Sequence, residues 1–222
     1  MCGFAGASWI EPRFAIDADT LDAMTRVLEH RGPDQAGSWF DSHTALGHRR
    51  LSIIDLDSGR QPLANEDGSL QVVFNGEIYN YRELRNDLKR RGHHFATQSD
   101  TEVIVHLYEE YGDSCLEHLR GMFALAVWDV RRQRLMLARD RMGQKPLIYR
   151  QEPGRLLFAS ELKALLQVPN APRQLDPVAL DQFLTYQYVP HPRTMLAGYC
   201  KLPPAHMAVY HDGRLEVTRY WK

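Results

Sequence analysis

Seven consecutive apolar residues at positions 122–128 (MFALAVW) constrain the fold more than any other stretch of the chain. The run is far too short to cross a bilayer, because a membrane-spanning helix needs ~20 apolar residues. A second, largely apolar run at 134–138 follows after a short polar segment. The two runs therefore predict a buried β-hairpin.

Short strands cluster on either side of this hairpin, and helices separate the clusters. Further strands are predicted at 3–10, 36–40, 44–48, 51–54 and 70–74, and hairpins at Gly154 and at Asp212-Gly213. Each predicted helix starts at a capping residue or a proline; the starts lie at Asp19, Asn80, Ser99 and Pro177. This order favours an α+β fold with antiparallel sheets over a parallel α/β fold.

Composition excludes several classes of function. The chain has 222 residues and a net charge of −1, so no basic field attracts nucleic acid. Its three cysteines include no C-x-x-C pair, and the adjacent His93 and His94 are interpreted as surface or core residues. No metal site, dinucleotide fingerprint or phosphate-binding loop is predicted. Without a signal sequence or an apolar span, the expected compartment is the cytoplasm, with no membrane partner.

The second residue of the chain is a cysteine, Cys2, and a glycine follows it. Removal of Met1 would leave Cys2 with a thiol and a free α-amino group. The reference pKa of an α-amino group is ~7.7–8.0 and that of a thiol is ~8.5, so the amine is a base beside a nucleophile that needs one. The alternative is that Cys2 is a small buried residue placed there by the start site.

Five motifs occur in a specific order along the chain: MCG at 1–3, HRGPD at 30–34, HRRLSI at 48–53, NGEIYN at 75–80 and SDTE at 99–102. Together they resemble the class II glutamine amidotransferases, which are N-terminal nucleophile enzymes. Later motifs resemble the glutaminase domain of glutamine-hydrolysing asparagine synthetases: GMFA at 121–124, RDRMGQKPL at 139–147, FASELK at 158–163 and LPPAH at 202–206. The resemblance covers essentially the whole chain.

This resemblance implies a four-layer αββα sandwich, in which two antiparallel sheets lie between helices. It also implies glutamine hydrolysis, with Cys2 as the nucleophile and its own amine as base and then acid. Asn75, through its side-chain N–H, and Gly76, through its backbone N–H, match the oxyanion hole of the family.

The resemblance further implies a binding site for the two charges of free glutamine. Arg50 matches the arginine that binds the α-carboxylate, as a guanidinium fork suits a carboxylate. Asp100 matches the carboxylate that binds the α-ammonium, with Glu77 nearby. The remaining candidates are Leu51 and Ile53, as pocket wall or backbone contacts, and Arg31, as an organiser of the pocket.

Structural roles are open for three of these residues: Asp100 as a helix-end charge, Glu77 as a turn residue, and Arg31 as the partner of Asp34 in a local ion pair. A non-catalytic regulatory domain and an amidotransferase for another acceptor, such as a sugar, are open as well. Residues 2–190 are expected to form the glutaminase domain, and 191–222 a loop and hairpin leading to a synthetase domain that is absent here. The expected partners are L-glutamine, a synthetase domain or subunit, and a second copy in a homodimer. No cofactor is expected in this chain, because ATP and Mg²⁺ would bind the synthetase domain.

Overall fold

Two six-stranded antiparallel sheets form the centre of the protein in a computed structural model, which describes residues 1–53, 55 and 58–222. The first sheet contains, in spatial order, β10 (Cys200–Lys201), β8 (Ile148–Glu152), β9 (Arg155–Ala159), β1 (Gly3–Trp9), β3 (Thr44–Arg50) and β2 (Gln35–Phe40). The second contains β12 (Arg214–Arg219), β11 (His206–His211), β7 (Arg134–Arg139), β6 (Gly121–Asp129), β5 (Leu70–Ile78) and β4 (Leu63–Ala64).

Helices cover the outer face of each sheet. On the first sheet lie α1 (Ala18–Arg26) and α5 (Leu162–Leu165), whose apolar residues pack against Ala5, Ala7 and Trp9. On the second lie α2 (Tyr81–Arg90), α3 (Glu102–Tyr111) and α4 (Cys115–His118). The last helix, α6, spans Pro177–Tyr186, and short 3₁₀ turns span Pro12–Phe14 and Gly112–Ser114. No helix in the described part of the chain is both long and apolar enough to cross a membrane.

The apolar run at 122–128 forms most of β6, which is buried on both faces. Successive side chains of a strand point to opposite faces. Accordingly, Phe123, Leu125 and Val127 pack towards α3, whereas Ala124, Ala126 and Trp128 belong to the core between the sheets. The strand β1 has the same property, since Phe4 lies between the sheets and Ala5 lies towards α1. The predicted four-layer α+β sandwich is therefore confirmed.

Several local predictions differ from the structure. The strand predicted at 70–74 continues to Ile78, since residues 75–78 pair with β6. Residues 51–53 form no strand, and residue 54 lies outside the described residues. The N-cap of α1 is Asp17, which accepts a hydrogen bond from Thr20, and not Asp19.

The predicted caps at Asn80 and Ser99 are wrong, whereas the start of α6 at Pro177 is confirmed, with Asp176 as its N-cap. The side chain of Asn80 binds the backbone of His118 and Arg120 and leaves the first turn of α2 uncapped. The next helix begins at Glu102, three residues later than predicted, because the Glu102 carboxylate accepts hydrogen bonds from the preceding segment, including the backbone N–H of Thr97 at 2.8 Å.

Segments after residue 190 are built into both sheets. β10 pairs with β8, and the hairpin of β11 and β12 extends the second sheet beyond β7. The hairpin predicted at Asp212-Gly213 is therefore confirmed. The domain boundary at residue 190 stays a prediction.

His48 links the two sheets through a hydrogen bond to β5. It lies in β3, is 1% exposed, and its Nε2–H donates to the carbonyl oxygen of Phe74 at 3.0 Å. Burial lowers the pKa of His48 from its ordinary value to about 4. The imidazole is therefore neutral at pH 7 and acts as a hydrogen-bond donor.

This pKa predicts a pH dependence of stability. Between pH ~6.5 and ~4 the unfolded chain binds a proton at His48 that the folded chain does not. The free energy of unfolding therefore decreases as the pH is lowered, by up to ~1.4 kcal/mol per pH unit. Replacing His48 by glutamine removes this contribution. Urea unfolding at several pH values should show a shallower slope for His48→Gln than for the wild type, and equal slopes would contradict the assignment.

Candidate active site

Cys2 is fixed at the start of the central strand β1 of the first sheet. Its Sγ lies 3.6 Å from the carbonyl oxygen of Leu51, to which it donates, and accepts from the Leu51 backbone N–H at 3.4 Å. Two residues further on, the backbone N–H of Phe4 donates to Ser160 Oγ at 3.0 Å. The position of the thiol therefore follows from the start of β1 and from the backbone of Leu51.

Arg31 forms a hydrogen bond with the backbone of Cys2. Its Nε donates to the Cys2 carbonyl oxygen at 2.9 Å, and its Nη1 donates to Glu161 Oε1 at 2.7 Å. The ion pair of Arg31 with Asp34 that the sequence left open is wrong. Asp34 instead accepts from the Ser52 backbone N–H at 2.8 Å.

Asn75 and Gly76 lie in β5, opposite the thiol on the second sheet. The side chain of Asn75 is buried, and its Nδ2 has no hydrogen-bond partner among the described residues. A buried N–H group without a partner costs free energy. A Cβ on Gly76 would lie 2.1 Å from the carbonyl oxygen of Met122, so only glycine lets β5 and β6 approach this closely.

The edge of β5 that faces away from β6 carries a row of backbone N–H groups. Alternate residues of an antiparallel strand direct these groups to the same side. The N–H of Phe74 donates to Gln61 Oε1 at 2.6 Å, and the N–H of Ile78 donates to Asp100 Oδ2 at 3.0 Å. Gly76 lies midway between them, so its N–H points to the same edge.

Two buried side chains of opposite charge line the same cavity as this part of β5. The Nη1 of Arg50 donates to Gln35 Oε1 at 2.9 Å, and its Nη2 donates to the carbonyl oxygen of Asp55. Asp100 lies in the turn before α3 and accepts from β5, as described above. Burial raises the pKa of Asp100, and the negative charge of Glu77 adds to this rise. A cationic group placed beside Asp100 would offset both effects.

The thiol of Cys2 is protonated at neutral pH. Burial raises its pKa above the ordinary value of a cysteine, although the Leu51 backbone, the chain terminus and Arg50 oppose the rise. Because the thiolate is the nucleophile, a thiol in this site needs a base to accept its proton.

The Cys2 thiol, the Asn75 and Gly76 donors and the two charged side chains border one cavity of about 100 Å³. Eight of the nine predicted site residues line it: Cys2, Arg50, Leu51, Ile53, Asn75, Gly76, Glu77 and Asp100. Ile53 is 74% exposed and lies at the rim. Glu77 lies within β5, so its interpretation as a turn residue is wrong.

Sequence reasoning missed several residues that line the cavity. Gln61 connects β5 to the turn before α3. Its Oε1 accepts from the Phe74 N–H, and its Nε2 donates to Thr101 Oγ1 at 3.3 Å. Lys145 is buried, and its Nζ lies 3.2 Å from Met1 Sδ. The motif at 139–147 includes Lys145, but no apolar pattern around it signals a buried lysine. No sequence pattern singles out Gln61.

Comparison with known families gives a match over almost the whole chain. Residues 1–221 match the family model described as a glutamine amidotransferase domain. The chain belongs to this family. The resemblance drawn from the motifs is therefore confirmed.

Curated relatives of this glutamine amidotransferase domain include two proteins of Bacillus subtilis (strain 168). Asparagine synthetase [glutamine-hydrolyzing] 3 is 38% identical over 224 residues, which cover all of this chain and 36% of the relative. Asparagine synthetase [glutamine-hydrolyzing] 1 is 40% identical over 225 residues, which cover all of this chain and 35% of the relative. The chain thus spans about a third of the length of these relatives.

A solved structure supports the fold. Glutamine phosphoribosylpyrophosphate amidotransferase from B. subtilis superposes with a TM-score of 0.67 at 22% identity, covering 99% of this chain and 49% of that one. At this identity the likeness concerns the architecture alone.

Because the side-chain N–H group of Asn75 has no hydrogen-bond partner among the described residues, we expect that Asn75 does not stabilise the fold. Replacing a buried polar group that lacks a partner by an apolar group of similar shape is nearly neutral or stabilising. Asn75→Leu should therefore keep or raise the melting temperature of the domain, as measured by differential scanning calorimetry. A loss of more than ~2 kcal/mol would mean that Nδ2 contributes to folding.

Proposed function

We propose that this domain hydrolyses glutamine to glutamate and ammonia, with Cys2 as the nucleophile. One observation carries the proposal. The Cys2 thiol, the unpartnered Asn75 amide, the Arg50 guanidinium and the Asp100 carboxylate border the same cavity. A free amino acid with a side-chain amide has a group complementary to each of them.

Activation of Cys2 begins with removal of Met1. This residue is 57% exposed, which suits access by an aminopeptidase, and it also occupies part of the cavity. Its loss converts the Cys2 backbone nitrogen from an amide into an amine with a reference pKa of ~7.7–8.0. The amine then accepts the thiol proton, which burial otherwise retains on sulfur.

The reaction proceeds in two steps. The sulfur attacks the amide carbon of glutamine, a C–S bond forms, and the carbonyl oxygen becomes an oxyanion. The Asn75 side chain and the Gly76 backbone N–H donate to this oxyanion. The C–N bond then breaks, and ammonia leaves with the proton held by the α-amine. Water next attacks the thioester, the C–S bond breaks, and glutamate is released with the thiol restored.

Specificity for glutamine comes from the two fixed charges of the cavity. Arg50 binds the α-carboxylate, and Asp100 binds the α-ammonium group. The raised pKa of Asp100 reflects the cost of burying this carboxylate without a cation, and the ammonium of the substrate removes that cost. The same pair disfavours substrates that lack either charge.

The ammonia would supply an ATP-dependent synthetase domain or subunit that makes asparagine or a related amide. Two named asparagine synthetases match over about a third of their length, which leaves room for such a domain. The exposed apolar residues of α6 and its C-terminal extension form a surface suited to contact it: Leu180, Phe183, Leu184, Tyr186 and Tyr188.

Glutamine hydrolysis by thiol, amine and oxyanion donors needs no cofactor, so ATP and Mg²⁺ belong to the synthetase step. The cytoplasm is the proposed compartment, which the unpaired state of Cys2, Cys115 and Cys200 supports. Assembly as a homodimer stays a prediction.

The role of Cys2 is tested by glutamate release from glutamine alone. Cys2→Ala should abolish release, whereas Cys200→Ala, which removes a half-buried thiol elsewhere, should keep it. Intact-mass analysis should show that active protein lacks Met1. Full activity in a form that retains Met1 would refute the role of the α-amine, and no glutamate from the wild type would favour a non-catalytic domain.

The role of Arg50 is tested against its neighbour Arg49. Arg50→Lys keeps the charge but loses the paired donors, so KM for glutamine should rise at least tenfold, which is ~1.4 kcal/mol, with a smaller change in kcat. Arg49→Lys is the matched control because Arg49 does not line the cavity. If both variants raise KM equally, Arg50 does not bind the α-carboxylate specifically.

A further inference from the structure

Outside the catalytic cavity, three segments of the chain bring metal-ligating side chains together. One ligand atom each from Glu66, His93 and His106 lies within 4.8 Å of the others. Glu66 follows β4, His93 follows α2, and His106 lies on α3. Because these residues come from separate segments, no spacing in the sequence reveals them.

His106 is held between carboxylates on both ring nitrogens. Its Nδ1 lies 2.9 Å from Glu109 Oε2 and 3.8 Å from Glu66 Oε2, whereas its Nε2 lies 3.9 Å from Glu102 Oε1. The residue is 1% exposed, and Nε2 has no hydrogen-bond partner among the described residues. A neutral imidazole has one N–H. In a neutral His106, one ring nitrogen would therefore direct its lone pair at a carboxylate. A cation bound between that nitrogen and the carboxylate would remove this repulsion.

His93 has the same arrangement. Its Nδ1 lies 3.4 Å from Glu109 Oε2, and its Nε2 lies 3.0 Å from Glu110 Oε1. The same oxygen of Glu109 thus faces the Nδ1 atoms of both histidines. In both imidazoles, a nitrogen lone pair faces a carboxylate oxygen. Two additional protons or one shared divalent cation would remove this repulsion.

We propose that His93, His106, Glu66 and Glu109 bind a divalent transition-metal ion of the Zn²⁺ class. Two imidazole nitrogens and two carboxylate oxygens form a donor set that Zn²⁺ accepts, and two carboxylates balance its charge. Donors of a tetrahedral site lie ~3.4 Å apart when the metal–ligand bonds are ~2.1 Å long. The Glu66 side chain is 46% exposed and supplies the small movement that closes the site.

The surrounding residues support this site. Metal-ligating histidines usually donate their second N–H to a carboxylate, which fixes the tautomer. Glu102 faces Nε2 of His106, and Glu110 faces Nε2 of His93. Glu102 is itself held by the N–H of Thr97 at 2.8 Å and by its hydroxyl at 2.6 Å.

The ion would connect the loop after β4 and the segment after α2 to α3. Asp100, which lines the catalytic cavity, lies two residues before the start of α3. The proposed site is therefore structural and holds the helix that follows this cavity residue. It takes no part in the hydrolysis proposed above, so either proposal can fail alone.

The test is Zn²⁺ binding by untagged, metal-stripped protein, measured by titration calorimetry and by the melting temperature. Cys2→Ala serves as the background, because a free thiol also binds zinc. We expect one bound ion and a rise in melting temperature of ~5 °C or more at a hundredfold excess over Kd. Co²⁺ in place of Zn²⁺ should give the visible absorption of a tetrahedral site.

In the same background, His93→Ala and Glu66→Gln should weaken Zn²⁺ binding at least tenfold and abolish the thermal shift. His94→Ala is the matched control, because this exposed neighbour lies outside the cluster, and it should keep both. Circular dichroism checks that each variant folds. No bound zinc, or equal binding by the His93 and His94 variants, would overturn the proposal and leave the histidines as protonated members of an ion-pair network.

Discussion

Burial of strands on both faces is the constraint on which the rest of the structure depends. The central strands β1 and β6 have apolar side chains on each side, so each sheet needs a second sheet on one face and helices on the other. Stacking the sheets brings the start of β1 close to the end of β5. The Cys2 thiol and the Asn75 amide therefore meet because the apolar core positions both strands.

Buried hydrogen bonds then fix the strands and side chains around the cavity. His48 in the first sheet donates to the Phe74 carbonyl oxygen, and the Gln61 side chain accepts from the Phe74 N–H. Asp140, which is fully buried, accepts from the backbone N–H groups of Phe123 and Lys145, both at about 3 Å. These contacts fix β6 opposite Gly76 and place Lys145 beside the chain terminus. The histidine is neutral, and the buried carboxylate is stabilised by backbone N–H donors.

Much of the fold was predictable from the sequence, because hydrophobic period and turn residues act locally. The hairpin containing β6, the turn at Gly154 and the capped start of α6 all match their patterns. The capping boxes at Asn80 and Ser99 failed because tertiary partners compete for the same side chains. Asn80 binds the backbone of Arg120, and Glu102 binds the backbone of Thr97. Motif resemblance located Cys2, Arg50, Asn75 and Asp100, whereas Gln61 and the cluster around His106 depend on chain segments that meet only after folding.

The shortness of β4 has a consequence for how such a site can arise. With two residues, β4 pairs with β5 only at Gln71 and Val72. The edge of β5 beyond them would otherwise attract a further strand and promote aggregation. Side chains of Gln61 and Asp100 occupy part of this edge, and the Gly76 N–H stays directed into the cavity. The protein thus turns an incomplete sheet into a recognition surface, and a longer β4 would convert that surface into an ordinary β-ladder.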